Sequence, residues 1–284
     1  MKSKSLLKPL MAVAVIGLLF TACKKKTSDL DKDTSAAGDN ALAESTYNDV
    51  HNIADQASTG SLASYDATYN SGSNEKGLLS ACATVAIDTS VSPHTITVNF
   101  GTTNCLCSDG RYRRGTILIS YSGHYRDSAS VHTITFPTAN PYFVNDNQIL
   151  GTKTVTNMGH NAAGHSVFNI NVNGTIIKAN GGGTVTWTSQ RQREWIQGES
   201  TMSCLDDVYL VTGSASGTNA HGNSFTAQIT SALERKVICR QFVSGTFTLT
   251  PSGKATRTFD FGNGACDDIA TVTINGNVYT ITLP

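Results

Sequence analysis

Two periods divide the chain. Between residues 40 and 57, Leu42, Tyr47, Val50, Ile53 and Ala57 recur on one face of a 3.6-residue repeat, with Glu44, Asn48, Asp49 and Asp55 mostly elsewhere. This predicts one short amphipathic α-helix, capped by Asp39 or Asn40 and docked by its apolar stripe. From residue 82 the period becomes two. Ile96, Val98 and Phe100 share a face, as do Ile117, Ile119 and Tyr121; Phe168, Ile170 and Val172; Phe225, Ala227 and Ile229; and Tyr279, Ile281 and Leu283. Threonine fills many of the alternate positions, as suits a wet pleated face. Asp109-Gly110, Asn173-Gly174, Asn180-Gly181, Asn263-Gly264 and Asn275-Gly276 read as tight turns, because both central residues of such a turn take positive φ. Consecutive hairpins predict an all-β fold, a long antiparallel meander forming a twisted sheet, a sandwich or an open barrel. No helical stretch of crossover length separates the strands, which excludes a parallel α/β design.

Residues 10–20 form the one continuous apolar run, too short for a membrane span. Lys2, Lys4 and Lys8 precede it and Thr21-Ala22-Cys23 follows, the pattern of a removable secretory leader. A cysteine directly after a small residue resembles the lipobox of bacterial lipoproteins. That resemblance implies that residues 1–22 are removed and that Cys23 becomes an acylated first residue. Lys24, Lys25 and Lys26 would then lie against headgroups. Residues 23–39 read as a flexible tether, 58–81 as a loop, and 82–284 as the all-β domain. Removing the leader takes away three lysines and no acid, leaving 18 basic against 21 acidic residues. With 21 of each sign in the whole chain, there is no basic excess for nucleic-acid binding. The 39% hydrophobic content is enough to build a core.

Six further cysteines remain: Cys82, Cys105, Cys107, Cys204, Cys239 and Cys266. An even number in an exported chain predicts disulfides. A short internal echo, F-G-x-x-x-C at Phe100–Cys105 and at Phe261–Cys266, points to two related halves. It selects Cys82–Cys105 and Cys239–Cys266, and by elimination Cys107–Cys204. Cys105 and Cys107 could exchange partners. A C-x-C pair near His94 and His124 lacks the usual zinc spacing, so no metal and no cofactor is expected.

Catalytic motifs are lacking. The run Gly213–Gly217 resembles G-x-S-x-G but carries Ala215 where the nucleophile would stand. A hydrolase acting on glycan would need two carboxyls about 5–10 Å apart, with Glu194, Glu199, Asp206 and Asp207 as candidates. His160 and His165 flank a hairpin connection. Trp187, Arg191, Arg193 and Trp195 are the candidate ligand contacts, able to stack on a sugar or a partner. The competing reading makes both tryptophans core residues with the arginines along them. Arg111, Arg113 and Arg114 read as a solvated hairpin tip.

Together with the leader, Cys23, the linker and the helix, the C-terminal series Trp195…Gly198…Asp207-Val208-Tyr209…Cys239…Phe261-Gly262-Asn263-Gly264-Ala265-Cys266-Asp267…Asn275-Gly276 is similar to β-rich outer-membrane lipoproteins of Bacteroidota. The resemblance implies location and fold, and no activity. The expectation is a lipid-anchored cell-envelope protein, attached to the outer membrane and periplasm-facing or surface-exposed. Its partners would be the membrane and a glycan or an envelope protein. A non-catalytic binding or structural role comes first; a glycan-acting hydrolase or sugar binder and a carrier of an apolar ligand are the alternatives.

Overall fold

The computed structural model describes residues 31, 33–59, 82–107, 109–201, 206–239, 241–267 and 269–282. The leader, Cys23, Lys24–Lys26, residues 60–81 and Cys204 lie outside the described residues. Helix α1 (Ser35–Thr59) precedes sixteen strands. In chain order these are β1 (Thr84–Asp88), β2 (His94–Asn99), β3 (Cys105–Leu106), β4 (Tyr112–Arg114), β5 (Thr116–Tyr121), β6 (Val131–Thr135), β7 (Phe143–Val144) and β8 (Asn147–His160). They continue as β9 (Ser166–Ile177), β10 (Thr184–Gln197), β11 (Val208–Thr218), β12 (Ser224–Lys236), β13 (Ser244–Pro251), β14 (Arg257–Asn263), β15 (Ile269–Ile274) and β16 (Asn277–Thr282).

The fold is all-β around one helix. One antiparallel sheet runs β1-β2-β5-β6-β8 and then in strict sequence to β16, with β3, β4 and β7 as a side branch. From β8 onward each strand pairs with its neighbour in sequence, which makes the long meander. The sheet does not close: β1 and β16 are its open edges. Register shifts interrupt the β8–β9, β10–β11, β11–β12, β12–β13 and β13–β14 pairings. Such bulges add twist, and here they help the sheet curl around α1. The Asn275-Gly276 hairpin forms as expected, with φ of 51° and 79°.

Helix α1 is longer than its apolar stripe predicts. It begins at Ser35, inside the expected tether, where the Asp33 carboxylate accepts the Ser35 amide at 2.8 Å. Asp39 and Asn40 are therefore interior helix residues and cap nothing. Both are buried, as is Asp49, which the periodicity had placed on the wet side. Among the described side chains, Gly38, Ala41, Ser45, Asn48 and Asn52 form an exposed stripe. The other described helix side chains are buried or half-buried, so the buried polar ones must find partners on the sheet.

Asn173-Gly174 is not a turn. It lies inside β9, where Gly174 pairs with Gly151 of β8 and Trp187 of β10. The Tyr47 ring occupies the space a Cβ would need at Gly174. Glycine is placed there by close approach of the helix, not by turn geometry.

The two disulfides selected by the internal echo are formed, with Cα–Cα separations of 5.7 Å for Cys82–Cys105 and 5.3 Å for Cys239–Cys266. Cys107, expected to bond Cys204, is instead a buried free thiol. It belongs to the main core cluster, where it behaves as a small apolar residue.

Candidate functional site on the inner face of the sheet

Cross-strand register lays the inward side chains out in rows. One row reads Ile119, Ile134, Lys153, Val172, Ser189 and Ala215. The next reads Tyr121, His132, Val155, Ile170, Arg191 and Gly213. Beyond it come Asn157, Phe168, Arg193 and Val211, then Ser166, Trp195 and Tyr209. Helix α1 lies across the first rows. The last rows carry a second apolar cluster of Val155, Phe168, Ile170 and Trp195, covered by Tyr125 and Tyr209.

Under the helix the contacts are polar and specific. Trp187 Nε1 donates to Asn40 Oδ1 at 3.0 Å, and the Trp187 indole stacks on Tyr47. Tyr47 Oη donates to the Leu150 carbonyl at 2.7 Å, and burial holds its pKa above the ordinary tyrosine range. Arg191 Nη2 donates to Glu44 at 2.9 Å. Lys153, 1% exposed, donates from Nζ to the Tyr47 carbonyl at 2.9 Å. Burial, reinforced by Arg193 and opposed by Glu44, pulls its pKa down to about 7. A neutral amine is the form this setting favours.

Arg113 contradicts the solvated-tip reading of its cluster. It is 0% exposed and donates to both oxygens of Asp49, at 2.7 and 2.9 Å, and also to Asp109. Arg111 reaches the same Asp49 at 2.9 Å. Two arginines thus face two carboxylates, the arrangement that makes a buried charge tolerable. Arg114 pairs with Asp146 at the surface.

At the other end of the inner face Arg193 lies 4.7 Å from the Tyr209 ring centroid and 5.2 Å from that of Phe168. It bonds Tyr125 Oη and lies 3.3 Å from His51 Nε2. Arg126 stands 4.8 Å over Trp195. Trp195 Nε1 and Tyr209 Oη both donate to Asp207, at 3.2 and 3.1 Å. Burial still pushes the Asp207 pKa up, to about 6. His51 and His132 are both held below the ordinary histidine value, chiefly by burial.

The four candidate contact residues therefore share one inner face of β10. Trp187 and Trp195 are 2% and 6% exposed, and both indole N–H groups are bonded within the protein. Sugar stacking needs an open ring face, and these faces lie against Tyr47, Tyr209 and Arg126. The four carboxylates offered for hydrolysis each have their own partners. Glu194 points to the opposite side of β10 from Trp195 and holds His165 and Asn161, each at 2.7 Å. Glu199 accepts from the Ser166 hydroxyl, and His160 Nε2 is 3.4 Å from that same hydroxyl. Ser166 thus has two basic groups within reach, but at 1% exposure its hydroxyl is closed to a substrate. Asp206 accepts from Thr201 at 2.9 Å. Among the described residues no group of three His, Cys, Asp or Glu side chains could hold a metal ion.

Sequence reasoning missed Lys153, Glu44, His51, His132 and Tyr125. Lys153 carried a usable signal, a charge on the inward register between Ile149, Gly151 and Val155. Tyr125 comes from a loop without periodicity, so nothing in the sequence placed it.

No family model, curated protein or solved structure matches the chain.

Proposed function

We propose that the chain is the folded body of a lipid-anchored cell-envelope protein with a non-catalytic binding or structural role. Cys23 is its acylated residue and the outer membrane its site of attachment. The observation that carries the non-catalytic reading is the filling of the inner face by α1. Asn40, Glu44, Tyr47 and Asp49 engage Trp187, Arg191, Gly174 and Arg113, and this leaves the trough to the chain's own helix. That supports a carrier of apolar ligands less, because such a carrier needs the trough open. It also supports a sugar site at Trp187 and Trp195 less. Two disulfides agree with an oxidising compartment outside the cytoplasm.

Expression of the full chain in a bacterial host, with mass spectrometry of its N-terminal peptide, tests the anchor. Wild type should be membrane-bound and acylated at Cys23, and Cys23→Ser should appear in the soluble fraction. An unmodified thiol at position 23 would overturn the reading. A glycan array with wild type and Trp195→Ala tests the rest: specific sugar binding lost in the variant would favour the glycan alternative.

A further inference from the structure

The strands give the folded body two distinct ends. One carries the β9–β10 turn at 178–183, the β11–β12 turn at 219–223, the β13–β14 turn at 252–256 and Asn275-Gly276. The other carries the 161–165 connection, the end of β10 at Gln197 and the end of β12 at Lys236, beside the aromatic–arginine rows. The start of α1 is fastened to the first end. Lys254 pairs with Asp33, and Arg257 Nη2 donates to the Asp33 carbonyl at 3.0 Å. Asn219 Nδ2 donates to Ser35 Oγ at 3.0 Å, and the Ala220 amide donates to Asp39 at 2.7 Å.

Resting on the reading of Cys23 as acylated, we infer that the 178–183, 219–223 and 252–256 turn end is the surface facing the lipid bilayer. Contour length decides between the ends. Ten residue steps separate Cys23 from Asp33, and they span at most about 36 Å in any conformation. The fourteen residues of β10 rise about 45 Å along the strand. The turn end can therefore rest on headgroups with slack in the connection. For the far end to reach the same plane, the connection would have to be drawn out nearly straight along the body, with no slack left.

The chemistry of the turn end fits a headgroup surface that is touched and not penetrated. Asn180, Gly181, Gly182, His221, Gly222, Ser252, Gly253, Asn275 and Gly276 are small or polar and exposed. Lys178 and Lys254 carry their charge there in pairs with Asp39 and Asp33. The same placement turns Trp195, Tyr209, Tyr125 and Arg126 away from the bilayer, toward whatever the envelope space presents.

The test uses the full acylated chain in phosphatidylcholine vesicles containing a spin-labelled headgroup lipid. Bimane is attached at Ser252→Cys on the turn end or at Ala162→Cys on the far end; both positions are exposed. At least threefold stronger quenching at position 252 is expected. Equal quenching, as for a body lying flat, or stronger quenching at 162 overturns the inferred orientation. Vesicle co-sedimentation and mass spectrometry of the same samples separate the two layers of the argument. Acylated, sedimenting protein with symmetric quenching sinks the orientation alone. An unmodified Cys23 sinks the anchor, and the orientation with it.

Discussion

Tyr47 of α1 lies parallel to Trp187 of β10, with ring centroids 5.8 Å apart and planes 7° from parallel. The stack is possible because Gly174 leaves the sheet bare beneath the tyrosine. A residue near the N-terminus is thereby locked to the middle of the meander. Tyr47 fixes the helix by ring contact, by its hydroxyl bond to Leu150, and by its own carbonyl, which receives Lys153.

Tyr47→Ala should cost about 3–5 kcal/mol, the range for deleting a buried aromatic ring, and Tyr47→Phe about 1 kcal/mol for the lost hydroxyl bond. Gly174→Ala should be strongly destabilising in the wild type and nearly neutral on the Tyr47→Ala background, because its Cβ would overlap that ring. Urea denaturation of the four proteins measures the coupling. Additive effects would mean that the ring and the glycine do not share this space.

Much of the fold was legible because strand periodicity and Asn-Gly turns are local signals. The tight turn at Asn275-Gly276 and both disulfides follow from residues close in sequence. What local reasoning could not reach were positions fixed by distant partners. Asn173-Gly174 has turn chemistry, but the helix needs its glycine inside a strand. Asp39, Asn40 and Asp49 look solvent-facing until Ala220, Trp187 and Arg113 are brought to them. For the Trp187–Trp195 segment only tertiary structure decides between an open ring face and a core residue, and it buries both indoles.

Lys153 gives the protein an unusual alkaline dependence. Its pKa falls from the ordinary 10.5 to about 7 on folding. Between those values the unfolded chain holds a proton that the folded chain has released, so stability rises with pH through that window. Thermal unfolding should show a higher midpoint at pH 9 than at pH 7.5. Tyr47, Tyr142 and Tyr209, whose pKa values are raised by burial, reverse the trend above about pH 10, where unfolded tyrosines ionise. Lys153→Met should be more stable than wild type at pH 7.5 and lack the rise. A Lys153→Met profile parallel to wild type would assign the effect elsewhere.

His51 and His132 set the acid side. Both are held below the ordinary 6.5, so the unfolded chain takes up protons that the folded chain refuses as pH falls through that value. Their stabilising contribution is present above about pH 6.5 and is lost below it. Asp207, raised to about 6, acts in the opposite sense once pH drops further. Lys153, with its folded pKa of about 7, titrates in the same window, so the slope between pH 7.5 and 6 reports the histidines only on the Lys153→Met background. His132→Phe keeps an aromatic ring against Tyr121 and Tyr125 and should flatten that slope. An unchanged slope would show that His132 titrates normally.

Cys107 and the two disulfides make separable predictions. Cys239→Ser with Cys266→Ser opens a loop of about 28 residues, which should cost about 3.6 kcal/mol by the chain-entropy relation. Cys107 is 3% exposed, so its peptide should resist alkylation in native protein and label fully in denaturant. Ready labelling of Cys107 under native conditions would contradict its burial.

The Asp49–Arg113 pair separates the energy of a buried charge from that of a buried contact. Arg113 is fully enclosed and shared between Asp49 and Asp109. Asp49→Ala removes one carboxylate and leaves Arg111 and Arg113 beside Asp109 alone. Loss of one partner of a buried pair costs about 3–5 kcal/mol, whereas replacing both by apolar residues of similar volume is far milder. The double variant Asp49→Leu, Arg113→Met should therefore be more stable than Asp49→Ala, although it carries more substitutions. The comparison is made by denaturant midpoint at pH 7. If the double variant proves the weaker of the two, the pair contributes net stability to the helix–sheet joint rather than merely avoiding an unpaired charge.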